Sequence, residues 1–136
     1  MINMKVPFNN IYAILFLILI TSCTKYENGP HVSLRTKNSR ICGEWKIKSL
    51  YVNSIEMNFD PAIGYHFNKG GVYHMHGTTT DDGKWDLKEN GEVLLLISNS
   101  PNTQQQSFKI LRLRNLEIWW KQTLSSGDIQ EVHLIQ

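Results

Sequence analysis

The chain has 136 residues, of which 14 are Lys or Arg and 12 are Asp or Glu, so its formal net charge at pH 7 is +2. This near balance argues against a nucleic-acid-binding protein, because such proteins carry a clustered basic face. The length is enough for one domain with one hydrophobic core.

The N-terminal segment has the pattern of a secretory signal peptide. Lys5 precedes an apolar run at residues 11–19, which is well short of the ~20 residues needed to span a bilayer. Thr21 and Ser22 are small, and Cys23 follows them directly. The segment therefore resembles a bacterial lipoprotein signal. This resemblance implies that the chain is cleaved before Cys23 and that this cysteine carries lipid, including a palmitoyl group. An uncleaved anchor is the alternative, which the short apolar run disfavours.

This resemblance suggests a division of the chain into three parts. Residues 1–22 are predicted to be the signal peptide, residues 23–39 a lipidated flexible tether, and residues 40–136 the folded domain. The tether is predicted because its residues are mostly polar, include Gly29-Pro30 and show no sustained hydrophobic period. A lipidated N-terminus implies a domain anchored to a membrane and facing water. We expect it in the cell envelope, in the outer membrane of a Gram-negative bacterium.

The second of the two cysteines, Cys42, is interpreted as a packing residue. If Cys23 carries lipid, Cys42 has no partner and no internal disulfide can form. Free cysteines are among the most buried residues in proteins. A reactive thiol is the alternative, but it would need a basic neighbour, and the local sequence offers only Arg40.

The domain is predicted to be β throughout, because short runs alternate with period two and turn signals separate them. The eight predicted strands are residues 43–52, 63–67, 72–78, 83–87, 92–98, 106–113, 116–122 and 129–135. Eight short antiparallel strands favour a closed up-and-down barrel, which leaves no exposed sheet edge. A two-sheet sandwich is the alternative.

Three motifs give residues 23–136 a resemblance to a known family. They are Gly43-Glu44-Trp45 at the start of the first strand, Phe67 with Gly70-Gly71-Val72-Tyr73, and Gly83-Lys84-Trp85-Asp86-Leu87. Together they resemble the small lipocalin-like lipoproteins of Bacteroidetes. The resemblance implies an eight-stranded lipocalin-like barrel in which Trp45 packs across the closed end. It does not imply a particular activity.

Histidines on the second and third predicted strands are the candidate metal ligands. The segment Asn68-Lys69-Gly70-Gly71 suits a type I turn followed by a left-handed glycine, a G1 bulge. In that register His66 lies opposite His74, with His76 a diagonal neighbour on the same face. A two-residue turn at Lys69-Gly70 would shift the pairing by one residue and separate His66 from the other two. We favour the bulged register, because it gathers the neighbouring aromatic residues on an apolar inner face.

These three histidines are close enough in the bulged register to share a metal such as Zn²⁺. We favour an exposed polar surface instead, because a flat strand offers no pocket and no carboxylate adjoins the histidines in sequence. The sequence therefore predicts no metal and no cofactor, with His66, His74 and His76 as the candidate set if a metal does bind.

Asp81-Asp82 is the only adjacent pair of acids in the chain. Paired carboxylates can perform general acid–base catalysis. Aspartate is also favoured in turns, where its side chain bonds nearby backbone N–H groups, and we interpret this pair as turn residues before Gly83. The chain has no G-x-S-x-G, phosphate-loop or CxxC motif. We predict that the protein is not an enzyme.

Trp119 and Trp120 are consecutive in a predicted strand, so one must point into the barrel and the other out of it. An outward tryptophan can stack on a sugar or anchor a partner. Packing against the tether or a neighbouring loop is the interpretation we favour.

The function predicted from the sequence is a non-catalytic binding module for a small apolar ligand or an envelope component. Candidate ligand or lid residues are Trp45, Ile55, Met57, Phe59, Tyr73 and Trp85. Strict alternation places Tyr51 inward together with Phe108, and so many bulky side chains favour a filled barrel. Binding would then fall to the loop at residues 53–62. The alternative is a protein–protein or structural component of an envelope assembly, for which a filled barrel with an exposed tryptophan patch would be the sign.

Overall fold

The computed structural model describes residues 35–101 and 105–136. The predicted signal peptide, Cys23 and most of the predicted tether lie outside the described residues, so those assignments stay predictions. In the part of the chain that is described, no helix is long and apolar enough to cross a membrane.

The described residues form one short helix and nine strands, joined by tight turns. They are α1 (Lys37–Ile41), β1 (Gly43–Val52), β2 (Ile55–Met57), β3 (Gly64–Phe67), β4 (Val72–His76), β5 (Asp81–Lys88), β6 (Val93–Ser98), β7 (Gln106–Leu113), β8 (Glu117–Thr123) and β9 (Ile129–Ile135). A single 3₁₀ turn, Glu89–Gly91, joins β5 to β6.

The sheet closes on itself as an eight-stranded antiparallel up-and-down barrel. The strands from β3 to β9 pair in sequence order, β1 pairs with β3, and β9 returns to pair with β1. The short strand β2 pairs with the far end of β1, beyond the point where β3 begins. The predicted barrel is thus confirmed, and β2 is an addition that falls in the predicted loop at residues 53–62.

The hairpin between β3 and β4 has the bulged register. The Gly71 amide donates to the Asn68 carbonyl oxygen, and Gly71 has a φ of 78°. This left-handed glycine is the mark of a G1 bulge. His66 is paired with His74, which confirms the predicted register.

The first strand departs from strict alternation. Between Ile47 and Ser49 the pairing of β1 with β9 shifts by one residue, which is a β-bulge. Beyond it Leu50 is opposite the buried Val132 and takes the inner face. Tyr51 therefore points outward, and the prediction that it faces inward was wrong. The bulge adds a residue that the partner strand does not match, so the faces exchange.

Side chains fill the interior of the barrel at one end, and we call this part the closed half. Ile41 at the end of α1 and Trp45 are fully buried there, and the indole Nε1 of Trp45 donates to the Ile41 carbonyl oxygen at 2.6 Å. Arg40 reaches across to donate to the Leu113 carbonyl oxygen at 3.2 Å. The helix thus plugs this end, and it begins at Lys37, inside the stretch predicted as tether.

Candidate functional site

The opposite end of the barrel is open and holds a cavity of about 380 Å³, which we call the cup. Its lining comprises Tyr65, Tyr73, Met75, Thr79, Thr80, Asp81, Leu96, Ser100, Gln106, Phe108, Trp120, Gln122, Gln130 and Val132. The expectation of a filled barrel therefore holds for the closed half and was wrong for this one.

Aromatic rings line the deep part of the cup. Trp120 is at its centre, with its ring centroid 5.1 Å from that of Phe108 and 5.4 Å from that of Tyr65. Tyr65 meets Trp120 edge to face, an arrangement that aromatic pairs prefer. Phe67 packs behind them in the closed half, 6.5 Å from Trp120. The aromatic layer is thus both the top of the core and the floor of the cup.

Amide side chains line the upper wall. Gln122 and Gln130 are directly paired on β8 and β9, and Gln122 Nε2 donates to Gln130 Oε1 at 2.7 Å. Gln106 begins β7 on the adjacent wall. Because an amide has both hydrogen-bond donors and an acceptor, these glutamines can bind a ligand group that donates or one that accepts.

A carboxylate lies inside the cup at Asp81. Its Oδ2 accepts from the Tyr73 hydroxyl and its Oδ1 from the Ser98 hydroxyl, each at 2.5 Å. Asp81 and Asp82 belong to β5 and pair with Met75 and His74, so the prediction that they form a turn was wrong. Aspartate is disfavoured in strands. Asp81 is stabilised in this one because it accepts hydrogen bonds from hydroxyl groups on the two neighbouring strands.

Sequence reasoning missed Asp81 as a site residue, although a signal was present. Gly83 and Trp85 are buried on the inner face of β5. Extending that alternation back by one step places Asp81 inside the barrel and Asp82 outside it.

Gly83 makes the contact between Tyr73 and Asp81 possible. A Cβ atom at this position would lie 2.8 Å from Tyr73 Cε1 and would collide with the carbonyl oxygen of Ile97. The absence of a side chain therefore lets the tyrosine ring lie across β5 and extend its hydroxyl to the carboxylate.

The two tyrosines of the cup keep their protons well above neutral pH. Burial, and then the negative charge of Asp81, raise the pKa of Tyr65 to about 12. Burial and the hydrogen bond to Asp81 hold the pKa of Tyr73 well above its usual range. Both hydroxyls are therefore neutral at physiological pH, and Tyr73 keeps its proton while it donates a hydrogen bond to Asp81.

The strand β2 lies beside β1 at the level of the cup, because Leu50 and Val52 of β1 pair with β2 on one side and with the cup residues Val132 and Gln130 on the other. Ile55 is paired with Val52 and Met57 with Leu50, so each shares a sheet face with its partner. Leu50 faces the interior, and the apolar side chains of Ile55 and Met57 are 67% and 44% exposed on the continuation of that face.

The remaining predicted ligand residues are distributed differently. Tyr73 lines the cup, whereas Trp45 and Trp85 are buried in the core. Trp85 Nε1 donates to the Asn68 carbonyl oxygen at 3.0 Å, near the closed end. Phe59 is half-buried in the connection between β2 and β3.

The histidines lie on the outer surface, where carboxylates from adjacent strands meet them. His66 Nδ1 is 2.5 Å from Glu44 Oε1, and His74 Nδ1 is 2.5 Å from Asp82 Oδ1. His76 Nε2 is 3.7 Å from the other oxygen of Glu44. Among the described residues, no group of three or more His, Cys, Asp or Glu side chains is arranged to hold a metal ion.

The two adjacent tryptophans point in opposite directions, as predicted. Trp120 is buried, whereas Trp119 lies on the outer surface between two neighbours. Arg112 Cζ is 3.6 Å from the Trp119 ring centroid, and the His133 ring stacks on it at 4.0 Å and 7°. Because these residues come from the strands on either side, Trp119 packs against the barrel itself, where a contact with the tether or a neighbouring loop was predicted, and it presents no open ring face.

Cys42 packs against the core and is half-buried. Burial raises the pKa of its thiol. Its Sγ lies 3.2 Å from the Asn38 carbonyl oxygen. A protonated, packed thiol is a poor nucleophile, which agrees with a packing role.

No family model and no curated protein sequence matches the chain. The fold is similar to the crystal structure of a lipocalin-like protein from Bacteroides uniformis, with a TM-score of 0.55. The two are 17% identical, and the likeness covers 71% of this chain and 98% of that one. The comparison therefore shows a lipocalin-like fold, which the three motifs had indicated.

Proposed function

We propose that this lipocalin-like barrel is a non-catalytic binding module that takes one small, largely apolar ligand into the cup. The cavity of about 380 Å³ carries the proposal. Ligand pockets in proteins typically measure about 300–1,000 Å³ and are lined by apolar and aromatic groups with a few polar ones. Eight-stranded barrels are just wide enough to hold one small ligand.

The lining suggests how such a ligand lies. Its apolar part would rest on the floor of the cup, in van der Waals contact with Phe108 and Trp120. Its polar part would face the glutamines and Asp81 nearer the mouth. Ile55 and Met57 on β2 would contact the portion that emerges.

The alternative role, a protein–protein component of an envelope assembly, would be favoured by an exposed tryptophan patch, and the described residues form none. Both flanks of Trp119 are occupied by Arg112 and His133. Lipocalin-like barrels are typically binding rather than catalytic folds, which supports the non-catalytic part of the proposal.

The cup can be tested by filling it. We expect mass spectrometry of organic extracts from the purified full chain to find a small molecule that is lost in Leu96→Trp, because Leu96 lines the cup. Ile97→Trp is the matched control, since Ile97 is the next residue and is exposed outside the barrel. Equal extracts from the wild type and Leu96→Trp would contradict the proposal.

We propose further that Cys23 is lipidated and holds the domain at the outer membrane. The pattern of residues 5–23 supports this. In cells given labelled palmitate, we expect label in the wild-type chain and none in Cys23→Ser. Cys42→Ser is the control and should keep the label. Label retained in Cys23→Ser would exclude this anchor.

A further inference from the structure

We infer that the cup selects ligands whose polar end is a cationic ammonium group rather than a carboxylate. This inference rests on the proposed binding function and narrows it to a ligand class. It follows from the charge, the hydrogen bonding and the aromatic lining of the cup.

The charge of the cup is the first observation. Among the described residues that line it, Asp81 is the one charged side chain, and none is Lys, Arg or His. A ligand carboxylate would enter with no cation to pair with and with a like charge close by. An ammonium would meet an opposite charge, and attraction between charges strengthens where water is partly excluded.

The hydrogen bonding of Asp81 is the second observation. Each carboxylate oxygen already accepts one hydroxyl proton, from Tyr73 or from Ser98. An ionised carboxylate has about four acceptor positions, so lone pairs remain for a ligand. The two hydroxyls hold the carboxylate in one orientation, which lowers the entropy lost when a ligand binds.

The aromatic lining is the third observation. Tyr65, Tyr73, Phe108 and Trp120 all contribute to the wall of the same cavity as Asp81. Aromatic faces attract cations through the ring quadrupole, and the attraction is greatest for tryptophan. The amide oxygens of Gln122 and Gln130 add neutral acceptors for further N–H groups. The charge, the free acceptor positions of Asp81 and the aromatic rings all favour a cation, and the amides, which can donate or accept, favour neither charge.

A matched set of three probes tests the inference on the full chain. The probes are 2-phenylethylammonium, 2-phenylethanol and 3-phenylpropanoate, which share a phenyl ring and differ at the polar end. By isothermal titration calorimetry at pH 7, we expect the ammonium to bind about tenfold or more tighter than the alcohol. We expect the carboxylate to bind weakest. A carboxylate that binds as tightly as the ammonium would overturn the inference.

Two neighbouring aspartates provide the variants. Asp81→Asn should weaken ammonium binding about 10- to 100-fold and leave the alcohol unchanged, which also shows that the cup is intact. Asp82→Asn removes the same charge from the outer surface, where Asp82 meets His74, and should change neither. Ammonium binding that survives Asp81→Asn would also overturn the inference.

The outcomes separate this inference from the function on which it rests. If the alcohol binds as tightly as the ammonium and Leu96→Trp abolishes both, the binding function stands and the ammonium preference fails. If the wild-type chain binds none of the three probes and yields no extracted molecule, both fail.

Discussion

The closed half and the open half of the barrel are built from the same strands, but different side chains fill them. In the closed half, Trp45 and Phe67 are buried, and Trp45 donates to the carbonyl oxygen of Ile41 at the end of α1. In the open half, the walls enclose a cavity above Phe108 and Trp120. Stability and binding capacity are thus separated along the strand axis, with the aromatic layer as the boundary.

The inner faces of the strands show how this separation is encoded. On β5 the inward series runs from Leu87 and Trp85 to Gly83 and Asp81, and on β9 it runs from Leu134 through Val132 to Gln130. β7 and β8 likewise place Gln106 and Gln122 at the mouth. Apolar residues give way to polar ones towards one end, so the core stops partway along the barrel.

The largest expected loss of stability is that of Trp45→Ala in the closed half. Removal of a fully buried indole should lower the free energy of unfolding by about 3–5 kcal/mol, because the cavity left behind cannot be refilled. Ile55→Ala, at a side chain that is 67% exposed beside the cup, should change it by less than about 0.5 kcal/mol. Chemical denaturation measures both. Equal losses would remove the distinction between the two halves.

Gly83→Ala should disturb the wall of the cup. The new methyl group would press on the Tyr73 ring and on the backbone of β6, at a cost of about 1–3 kcal/mol in stability. Gly70→Ala is the control, since its nearest neighbour is the flexible Asn68 side chain at 3.3 Å. Thermal unfolding compares them, and a Gly83→Ala protein as stable as the wild type would show that both the Tyr73 ring and the backbone at Ile97 can shift without cost.

The open half should also govern stability at alkaline pH. The folded pKa of Tyr65, about 12, exceeds the ordinary value of 10.0, so the folded chain holds this proton more tightly than the unfolded chain. This contribution is complete below pH 10 and is lost as pH rises from 10 to about 12. It amounts to about 3 kcal/mol.

Tyr65→Phe checks this linkage. The variant should lose less stability than the wild type between pH 9 and pH 12, as measured by urea unfolding at each pH. In Asp81→Asn the alkaline loss of stability should occur at lower pH than in the wild type, because the charge of Asp81 helps to raise the Tyr65 pKa. Parallel pH profiles for the wild type and Tyr65→Phe would contradict the assignment.

The smallest effect on stability is expected at β2. The double change Ile55→Ser and Met57→Ser should leave the free energy of unfolding within about 0.5 kcal/mol of the wild type, because neither side chain belongs to the buried core. It should weaken 2-phenylethanol binding by about tenfold or less, since less apolar surface covers the ligand. Leu116→Ser, equally exposed at the closed end, is the control and should not change binding. Unchanged binding in the double variant would place β2 outside the site.

The departures from sequence prediction have physical causes. The turn that starts β2 uses Asn53 and Ser54, both left-handed, at φ of 50° and 67°. The sequence pattern that predicts such a turn is normally Asn-Gly, and serine at the second position gives only a weak signal. The bulge after Ile47 leaves no mark in β1 alone, because it is defined by a mismatch with β9.

Asp81 illustrates the same limit at the site itself. An aspartate next to another aspartate and a glycine has every local feature of a turn. Its place in the cup depends on hydroxyl groups from Tyr73 and Ser98, which only the folded barrel brings to it. The sequence does contain both donors, but nothing local relates them to Asp81.

By itself, the sequence determined the eight barrel strands, their order, the bulged hairpin at Asn68–Gly71 and the opposite directions of Trp119 and Trp120. These features follow from alternation and turn chemistry, which act over a few residues. Only the tertiary structure decided that Tyr51 turns outward, that the hydroxyls of Tyr73 and Ser98 meet Asp81 and that half of the barrel stays open. Each depends on pairing or on the separation of opposing walls, which arise when the sheet closes.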